Sequence, residues 1–325
     1  MNAPPFPRLL GDIGGTNARF ALQDEAGIGR VQVLRCADFP TLQRAMAHYL
    51  EQQRVQVREA ALGIANPVHS DRLRMTNHHW EFSISEVRSE LGLQRLLVIN
   101  DFAAQALALP LLPAQELQRV GGGSAVAGAT RAVVGAGTGL GVGALLPQGD
   151  GSWQPLAGEG GHVSFSPSDE EEVELWRHAR TRHGHVSAER LLCGRGLELI
   201  HEWLCCRDGV GDFALDAAAI TRRGLQGEDA RCRKVLEMFC GMLGTLAGNV
   251  ALTLDARGGV YIGGGIVPRL GEWFAASPFR RRFEDKGRFA SALAAIPVHV
   301  IHSAWPGLIG AGAALQQPPR ESRDA

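Results

Sequence analysis

The sequence predicts an α/β protein in which one structural unit is used twice. Strand-like and helical segments follow one another from the start of the chain in the order β-β-β-α-β-α, which is typical of a mixed sheet with helices on its faces. A second, similar succession begins near residue 130. Both contain a glycine-rich turn between two strands, GDIGGTN at residues 11–17 and GAGTGLG at residues 135–141. At 325 residues, the chain is long enough for two domains.

The first half of the chain supports this order element by element. Short apolar runs predict strands at residues 8–13, 18–22, 31–35, 60–65 and 96–99. A helical period of apolar residues predicts helices at 41–53, 83–91 and 103–109. Ser83 is a suitable N-cap for the second of these helices.

The second half contains longer helices. Strands are predicted at residues 132–134, 141–146, 260–262 and 298–301, and helices at 168–182, 188–206, 229–254 and 307–315. The helix at 229–254 is apolar on more than one face and should be buried between layers. We place a first domain at residues 1–110 and a second at 111–301, and we expect the segment at about 302–318 to pack back on the first.

Composition and charge exclude several classes of function. The net charge of −1 gives no electrostatic reason to expect a nucleic acid or an acidic membrane as partner. No apolar run reaches the ~18 residues that a membrane span needs. The segment from Met1 to Leu10 is short and Pro-rich and leads straight into a strand, which is not the pattern of a secretory signal. We therefore expect a cytoplasmic protein.

Lysine and cysteine usage limits the kinds of site. The two lysines, Lys234 and Lys286, do not end a glycine-rich turn, so any nucleotide site works without a Walker lysine. The cysteines form no C-x-x-C pair, which indicates free thiols and leads us to expect no zinc. They are Cys36, Cys193, Cys205, Cys206, Cys232 and Cys240.

The first glycine turn has the chemistry of a phosphate site. Glycine lets consecutive backbone N–H groups converge on an anion and lets a phosphate approach the chain closely. Thr16 and the backbone can bind phosphate, whereas Asp12 can bind Mg²⁺ through water. The residues concerned are Asp12, Gly14, Gly15, Thr16 and Asn17.

Two further glycine groups follow. The second turn contains Gly137, Thr138 and Gly139, and two such turns in parallel positions favour phosphate binding over two structural hairpins. A third group, Gly263, Gly264 and Gly265, ends a strand where a flat ligand such as adenine could lie on bare backbone. Taken alone, the third group is better explained as a tight turn from strand to helix.

Polar residues follow the strand at 96–99. Asn100 and Asp101 stand at the carboxyl end of that strand, which is where ligands bind in α/β sheets. Asp101 is well placed to be a general base, with Asn100 beside it as donor and acceptor. Asp101 could equally cap the helix that follows. Local sequence leaves both alternatives open.

A glycine-rich loop carries further candidates. Glu159 and His162 lie in GEGGH, a segment too glycine-rich to pack a core. Glu189 could reach the same site, or could lie on a helix surface. Phosphoryl transfer needs positioning, metal and a carboxylate near the attacking hydroxyl. A sugar needs groups that both donate and accept, and Asn, Asp, Glu and His meet that need.

These motifs together resemble the bacterial glucokinase family, in the group without the zinc motif. The matching stretches are GDIGGTNARFAL (11–22), MTNHHWEFSI (75–84), INDFAA (99–104), GAGTGLGVG (135–143), GEGGHVSFSP (158–167), GHVSAERLLCGRGL (184–197), YIGGGIVPR (261–269), FEDKGRF (283–289) and PGLIGAGAAL (306–315). They span nearly the whole chain in the family's order. The resemblance implies an actin-like, ribonuclease H-like duplicated fold with the active site in the cleft between two domains.

The resemblance also implies roles for residues. Asp101 would take the proton from the 6-hydroxyl of glucose, and Asn100, Glu159, His162 and Glu189 would hold the other hydroxyls. The first phosphate loop would be formed by Asp12, Gly14, Gly15, Thr16 and Asn17. The second would be formed by Gly137 to Gly139, and Gly263 to Gly265 would lie near adenosine. ATP, Mg²⁺ and a homodimer are implied too. Cys193 stands alone where the related repressor and kinase family has a zinc-ligating cysteine cluster, so no zinc is implied.

Three alternatives remain at this point. A kinase of the same fold could act on mannose, fructose or an N-acetyl hexosamine. A sugar-responsive regulator would need a helix-turn-helix domain before the first turn, where ten residues precede Gly11. A filament or chaperone ATPase would need larger segments for its partners and gives no reason for the loop with Glu159 and His162.

Overall fold

The protein is described by a computed structural model that covers residues 6–76, 78–211 and 215–317. Its chain forms two compact units. The first comprises the residues up to 112, residues 153–157 and those from 303 onward, and the second comprises residues 113–152 and 158–302. Residues 1–5 of the predicted first domain, and residue 318 of its predicted C-terminal segment, lie outside the described residues.

Strands and helices alternate through both units. The strands are β1 (Arg8–Ile13), β2 (Asn17–Asp24), β3 (Gly27–Arg35), β4 (Glu59–Ile64), β5 (Arg72–Arg74), β6 (Glu81–Ser83), β7 (Arg95–Asn100), β8 (Leu117–Arg119), β9 (Arg131–Ala136), β10 (Leu140–Pro147), β11 (Trp153–Gly158), β12 (Val260–Gly263) and β13 (Val298–Ile301). The helices are α1 (Leu42–Gln53), α2 (Ile84–Glu90), α3 (Asp101–Ala108), α4 (Glu170–His183), α5 (Ala188–Leu191), α6 (Gly194–Arg207), α7 (Ala217–Gln226), α8 (Ala230–Leu254), α9 (Glu272–Ala276), α10 (Phe279–Glu284), α11 (Ala290–Ala295) and α12 (Pro306–Gln316).

The first unit is built on a mixed sheet. Its five strands lie in the order β3-β2-β1-β4-β7. The β1–β2 and β2–β3 pairs are antiparallel, whereas β1 pairs with β4 and β4 with β7 in parallel. The carboxyl ends of β1, β4 and β7 therefore meet at one edge of the sheet, where Ile13, Ile64 and Asn100 are in register.

Both faces of this sheet are covered, because successive side chains of a strand point to opposite faces. Leu9 belongs to a core that also contains Tyr49 and Trp80, whereas Leu10 packs with Leu308 of α12. Helix α12 lies so close to α3 that a Cβ on Gly310 would stand 1.7 Å from the carbonyl oxygen of Ala104. The C-terminal helix is thus part of the core of the first unit.

The second sheet repeats the arrangement of the first. Its order is β11-β10-β9-β12-β13-β8. An antiparallel β9–β10 pair stands beside parallel strands β12 and β13, as β1–β2 stands beside β4 and β7. The prediction of one structural unit used twice is confirmed by this order, in which β8 is an added edge strand antiparallel to β13.

Helix α8 is the centre of the second unit. It is long and apolar enough to pass for a membrane span by length and composition, yet 78% of its most apolar window is buried inside the protein, as expected of a core helix. The prediction that this helix is buried is confirmed. Gly244 lets α10 approach, since a Cβ there would lie 2.2 Å from the carbonyl oxygen of Phe279.

One predicted helix is wrong. The segment at 188–206 forms two helices, α5 and α6, that are separated at Leu192 and Cys193. The chain turns sharply between them, since a Cβ on Gly196 would lie 2.3 Å from the backbone of Leu191. The N–H of Gly194 donates to the carbonyl of Gly137 at 2.9 Å instead of continuing a helix from α5.

Candidate functional site

The first glycine turn joins β1 to β2 and is closed by its own backbone. Ile13 and Ala18 are the last paired residues, and within the turn the N–H of Gly14 donates to the carbonyl of Asn17 at 3.0 Å. Thr16 at the tip is exposed, and its carbonyl accepts from the N–H of Cys36 at 2.9 Å. The turn therefore presents one hydroxyl and glycine backbone to a ligand.

Asp12 stands at the base of this turn in an ion pair. Its cross-strand neighbour is Arg19, whose Nη1 donates to Asp12 Oδ2 at 3.1 Å. Burial raises the pKa of Asp12, and Arg19 acts in the opposite direction. On its other side the carboxylate faces the first turn of α12, where a Cβ on Gly307 would be 2.9 Å from Asp12 Cγ. Sequence reasoning missed Arg19, although its position opposite Asp12 across a short turn was a usable signal.

Asn100 and Asp101 begin α3 at the carboxyl end of β7. Asn100 is the N-cap, because its Oδ1 accepts from the N–H groups of Phe102 at 2.9 Å and Ala103 at 3.1 Å. Asp101 is the first helical residue, and its Oδ1 also accepts from Phe102 N–H at 2.9 Å. The alternative in which Asp101 serves as the cap is therefore wrong, since Asn100 takes that position and α3 starts two residues earlier than predicted.

Asn66 is a further polar residue at this edge that sequence reasoning left aside. Its Oδ1 accepts from the N–H of Thr76 at 3.0 Å and from the hydroxyl of Thr76 at 2.6 Å. Its carbonyl accepts from Nδ2 of Asn100 at 3.5 Å. Asn66 thus links the turn after β4 to the residue that caps α3.

Sheet register brings these residues of the first unit together. The first glycine turn, Asn66 and the Asn100–Asp101 pair follow β1, β4 and β7, which are adjacent and parallel. Close packing keeps the edge compact, because a Cβ on Gly63 would lie 3.1 Å from Cβ of Ala104 and 3.6 Å from Cα of Asp101.

The second glycine turn joins β9 to β10. The N–H of Gly137 donates to the carbonyl of Gly139 at 2.8 Å, and Thr138 at the tip is exposed. Glu189 of α5 reaches this turn, since its Oε2 accepts from the N–H of Leu140 at 2.9 Å. A Cβ on Gly139 would stand 2.5 Å from the same carboxylate oxygen, so a larger residue there would displace the side chain of Glu189. Glu189 therefore contacts the second turn and does not lie free on a helix surface.

The loop with Glu159 and His162 lies against the same turn. A Cβ on Gly161 would be 1.9 Å from the carbonyl oxygen of Leu140, so glycine is required for this approach. The side chains of Glu159 and His162 are 55% and 58% exposed, and Glu159 Oε2 is 3.8 Å from His162 Nε2. Glu159, His162 and Glu189 thus belong to one region of the second unit, with two of the three side chains open to a ligand.

The third glycine group is also next to the second turn. Gly264 has a φ of +82°, and a Cβ there would lie 2.2 Å from the carbonyl oxygen of Ala136. Gly265 is exposed, and no atom would lie within 4 Å of a Cβ added to it. The chain then enters a 3-10 helix at Val267–Leu270. The third glycine group is therefore a tight turn from strand to helix, and it also exposes a stretch of backbone.

The donor chemistry of both units fits a nucleotide and a hard cation. Glycine backbone and the hydroxyls of Thr16 and Thr138 suit phosphate oxygens. A carboxylate such as Asp12 suits Mg²⁺, which prefers oxygen ligands and usually keeps several waters. The residues of the loop around Glu159 suit hydroxyl groups, because they accept hydrogen bonds strongly.

Comparison with known proteins agrees with this chemistry. The family model described as Glucokinase matches residues 9–318. The glucokinase of Chromobacterium violaceum is 57% identical over 95% of this chain and 89% of its own, and that of Ralstonia nicotianae is 55% identical over 95% of both chains.

Solved structures agree as well. The glucokinase of an Antarctic psychrotroph has a TM-score of 0.85 and 36% identity, over 95% of this chain and 98% of its own. A ROK-family glucokinase from Streptomyces griseus, solved with glucose and AMPPNP, has a TM-score of 0.66 and 19% identity over 95% and 99% of the two chains, a likeness of fold. The predicted fold class, a duplicated α/β fold of the actin-like, ribonuclease H-like kind, is confirmed. The chain belongs to the glucokinase family.

Proposed function

We propose that this protein transfers the γ-phosphate of ATP to the 6-hydroxyl of glucose, giving glucose 6-phosphate and ADP. One observation carries the proposal: a carboxylate, Asp101, lies at the same edge of the first sheet as a glycine turn with phosphate chemistry. Membership of the glucokinase family supports the same reaction.

Asp101 acts as the general base in this proposal. As the sugar oxygen attacks phosphorus, its proton passes to the Asp101 carboxylate, and the bond from phosphorus to the ADP oxygen breaks. Asp101 is held by α3, whose N–H of Phe102 fixes one carboxylate oxygen at 2.9 Å. Asn100 is fixed through the cap and through Asn66, so its amide can meet a sugar hydroxyl with little loss of freedom.

The phosphates and adenosine are assigned to the glycine turns. The backbone of Gly14 and Gly15, with Thr16 and Asn17, binds phosphate on the first unit. Gly137, Thr138 and Gly139 do so on the second unit. Gly263, Gly264 and Gly265 form the surface for adenosine, because the exposed backbone at Gly265 has no side chain beside it.

Asp12 is assigned to Mg²⁺ through water. Mg²⁺ neutralises charge that develops on the phosphate oxygens when it is bound. Arg19 holds one Asp12 oxygen, and the carboxylate is 24% exposed, which suits a contact through water better than direct coordination. Arg19 also places a positive charge at the base of the phosphate turn.

Glu159, His162 and Glu189 are assigned to the remaining sugar hydroxyls. Glu159 and His162 are exposed and adjacent, so both can turn toward a ligand. Glu189 is held by Leu140 through one oxygen, which leaves its position well defined. A site built from such groups rejects sugars that leave them unpaired, at about 1–3 kcal/mol for each buried group.

The wider organisation is proposed with the function. The two compact units would be the two domains predicted at residues 1–110 with 302–318, and 111–301. The protein would work in the cytoplasm as a homodimer on glucose and Mg-ATP, without nucleic acid or membrane as partner. Transfer as described uses no zinc.

The experiment that tests the proposal is a sugar panel. Purified protein is given Mg-ATP with glucose, mannose, fructose, N-acetylglucosamine or no sugar, and ADP release is followed. We expect release with glucose and formation of glucose 6-phosphate. Release with another sugar alone would move the substrate, equal release with and without sugar would indicate an ATPase, and no release would contradict kinase activity with ATP.

A further inference from the structure

A buried group of side chains with the chemistry of metal ligands lies where α6 meets the start of α8, in the second unit. One ligand atom from each of His201, Asp229 and Cys232 can be chosen so that all three lie within 4.8 Å of one another. Cys205 adjoins them, with its Sγ at 3.8 Å and 3.9 Å from the two ring nitrogens of His201. None of these residues has a part in the phosphoryl transfer proposed above.

Helical spacing explains how the four residues come together. His201 and Cys205 are four residues apart on α6, and Asp229 and Cys232 are three apart at the start of α8. Residues at these separations lie on one face of a helix. Each helix end therefore offers two ligands side by side, an arrangement that also builds metal sites inside helix bundles. A search for C-x-x-C pairs, on which the expectation of no zinc depended, does not detect this pattern.

The group is buried and well fixed. His201 is 3% exposed, Cys205 is 2% exposed and Cys232 is 0% exposed. Asp229 is the N-cap of α8, and its Oδ1 accepts from the N–H of Arg231 at 2.8 Å and of Cys232 at 3.3 Å. The cap holds one carboxylate oxygen in place, so a cation would meet a carboxylate whose position is already set.

The donor chemistry of the group suits a metal ion. The neighbouring Arg231 makes its ion pair with Asp208 at 3.0 Å. Thiols are weak hydrogen-bonding partners for a carboxylate and an imidazole, whereas thiolate, imidazole and carboxylate are all good metal ligands.

A path for an ion is present beside the group. A cavity of about 490 Å³ is lined by three carboxylates, those of Asp208, Glu228 and Asp229, and by three basic side chains, those of Arg207, Arg231 and Lys234. Asp229 thus faces both the cavity and the buried thiol.

We propose that His201, Asp229 and Cys232 bind one Zn²⁺ ion, with Cys205 as the fourth ligand. The mixture of nitrogen, sulfur and oxygen donors, four in number and buried, is that of a tetrahedral zinc site. Its effect is structural, because the ion ties α6 to the first turn of α8, the central helix of the second unit.

The test measures metal, not turnover, so its result is independent of the kinase proposal. The full chain is purified under a reducing agent, stripped with a chelator, given a limiting amount of Zn²⁺ and desalted, and zinc per chain is measured by mass spectrometry. We expect a stoichiometric amount. Co²⁺ in place of Zn²⁺ should give the near-ultraviolet absorption of a thiolate–cobalt bond.

Variants separate the site from adventitious binding. Asp229→Asn keeps a good N-cap but removes the anionic ligand, and Cys232→Ser removes a thiol. We expect the dissociation constant for Zn²⁺ to rise at least about 10–100-fold in each, since even partners outside the coordination shell are worth that much. Cys206→Ser removes the exposed neighbour on α6 and should bind like the wild type.

Three results would overturn the proposal. These are the absence of zinc from the reconstituted wild type, equal zinc in wild type and Asp229→Asn, or loss of zinc in Cys206→Ser alone. Circular dichroism of each variant checks that the fold is retained. Because Asp229→Asn preserves the cap, it keeps the test valid even if Cys232→Ser does not fold.

Discussion

The two glycine turns stand at the same place in the two sheets but carry different chemistry. In each hairpin we compare the next-to-last residue pair before the turn. In the first hairpin this pair is Asp12 opposite Arg19, and in the second it is Gly135 opposite Gly141. The first turn therefore has an ion pair at its base, and the second has bare backbone there. A carboxylate reaches the second turn from α5 instead, through Glu189 and the N–H of Leu140.

The same difference is seen at the ends of the parallel strands. In the first sheet β7 ends in Asn100 and is followed by Asp101, and in the second the corresponding strand β13 is followed by His302. His302 pairs its Nε2 with Gln118 at 2.9 Å. One copy of the unit thus concentrates charge along its own strands, while the other depends on loops and helices to supply it. The two sheets therefore share a backbone arrangement, whereas their edges carry different functional groups.

The largest effect should follow from removing Asp101. This carboxylate follows the last parallel strand of the first sheet, and the second sheet has no carboxylate at the corresponding position. Asp101→Asn keeps size and hydrogen bonding but removes the base, so kcat should fall by ~10²–10⁴-fold. Steady-state kinetics with glucose and Mg-ATP measure this. His302→Asn at the corresponding place in the second sheet is the matched control and should retain nearly all turnover. Near-normal kcat in Asp101→Asn with intact glucose binding would remove Asp101 from its role.

The ion pair at the base of the first turn should set the magnesium requirement. Asp12→Asn removes a contact to Mg²⁺ through water, and losses of that kind cost about 10–100-fold in metal affinity. Titration of activity with free Mg²⁺ at fixed ATP measures the change.

Thr138→Val in the second turn is the comparison. It should raise the KM for ATP and leave the magnesium requirement as it is. An equal shift of the magnesium requirement in both variants would contradict the different chemistry of the two turns.

Glu189 should give a smaller effect that depends on the substitution. Glu189→Gln keeps an acceptor for Leu140 but loses a charged one, and the difference of about 1 kcal/mol corresponds to roughly a fivefold rise in the KM for glucose. Glu189→Ala also leaves the N–H of Leu140 without that acceptor, so the KM for ATP should rise too. The two KM values of each variant are measured separately. If Gln and Ala behave alike for ATP, Glu189 does not support the second turn.

The smallest effect concerns stability and pH. Burial raises the pKa of Asp12 above its ordinary 3.8, so the fold favours the protonated carboxyl. That contribution is fully present below pH 3.8 and is lost as pH rises through the raised pKa. The wild type should therefore lose stability relative to Asp12→Asn over this interval, as measured by chemical denaturation at several pH values.

Arg19→Gln sharpens the same measurement. Without the guanidinium the pKa of Asp12 should rise further, which moves the loss of stability to higher pH. A difference between wild type and Asp12→Asn that stays constant with pH would show that Asp12 is not perturbed by burial.

Much of the fold could be predicted because its signals are local. Ser83 caps α2 as predicted, since its side chain accepts from the N–H of Glu86 at 3.1 Å. The apolar period of α8 also predicted its burial. Strand β11, helix α7 and the short helices α9 to α11 were not predicted. Several of these elements are only a turn or two long, and the β11 segment places exposed residues among partly buried ones.

The candidate site divides in the same way. Its glycines and carboxylates stand in short motifs, and those motifs name the residue types that phosphate and sugar chemistry need. Arg19 was missed and Asn66 was left aside because neither belongs to a glycine or acidic motif, and each matters through a partner across a turn or a loop. The four residues around Cys232 were missed for a similar reason, because helix spacing and not a compact motif brings them together.

The sequence by itself determined the two glycine turns, the mixed α/β order, the burial of α8 and the identity of the polar groups that end β7. Each depends on neighbours within a few positions, where backbone freedom and periodicity act. Tertiary structure decided which of these groups meet: Glu189 with Leu140 across 49 positions, and Asn100 with Asn66 across 34. Such pairs form because sheet register and close glycine packing bring distant segments together, and no local preference of the chain encodes which partner a buried polar group will find.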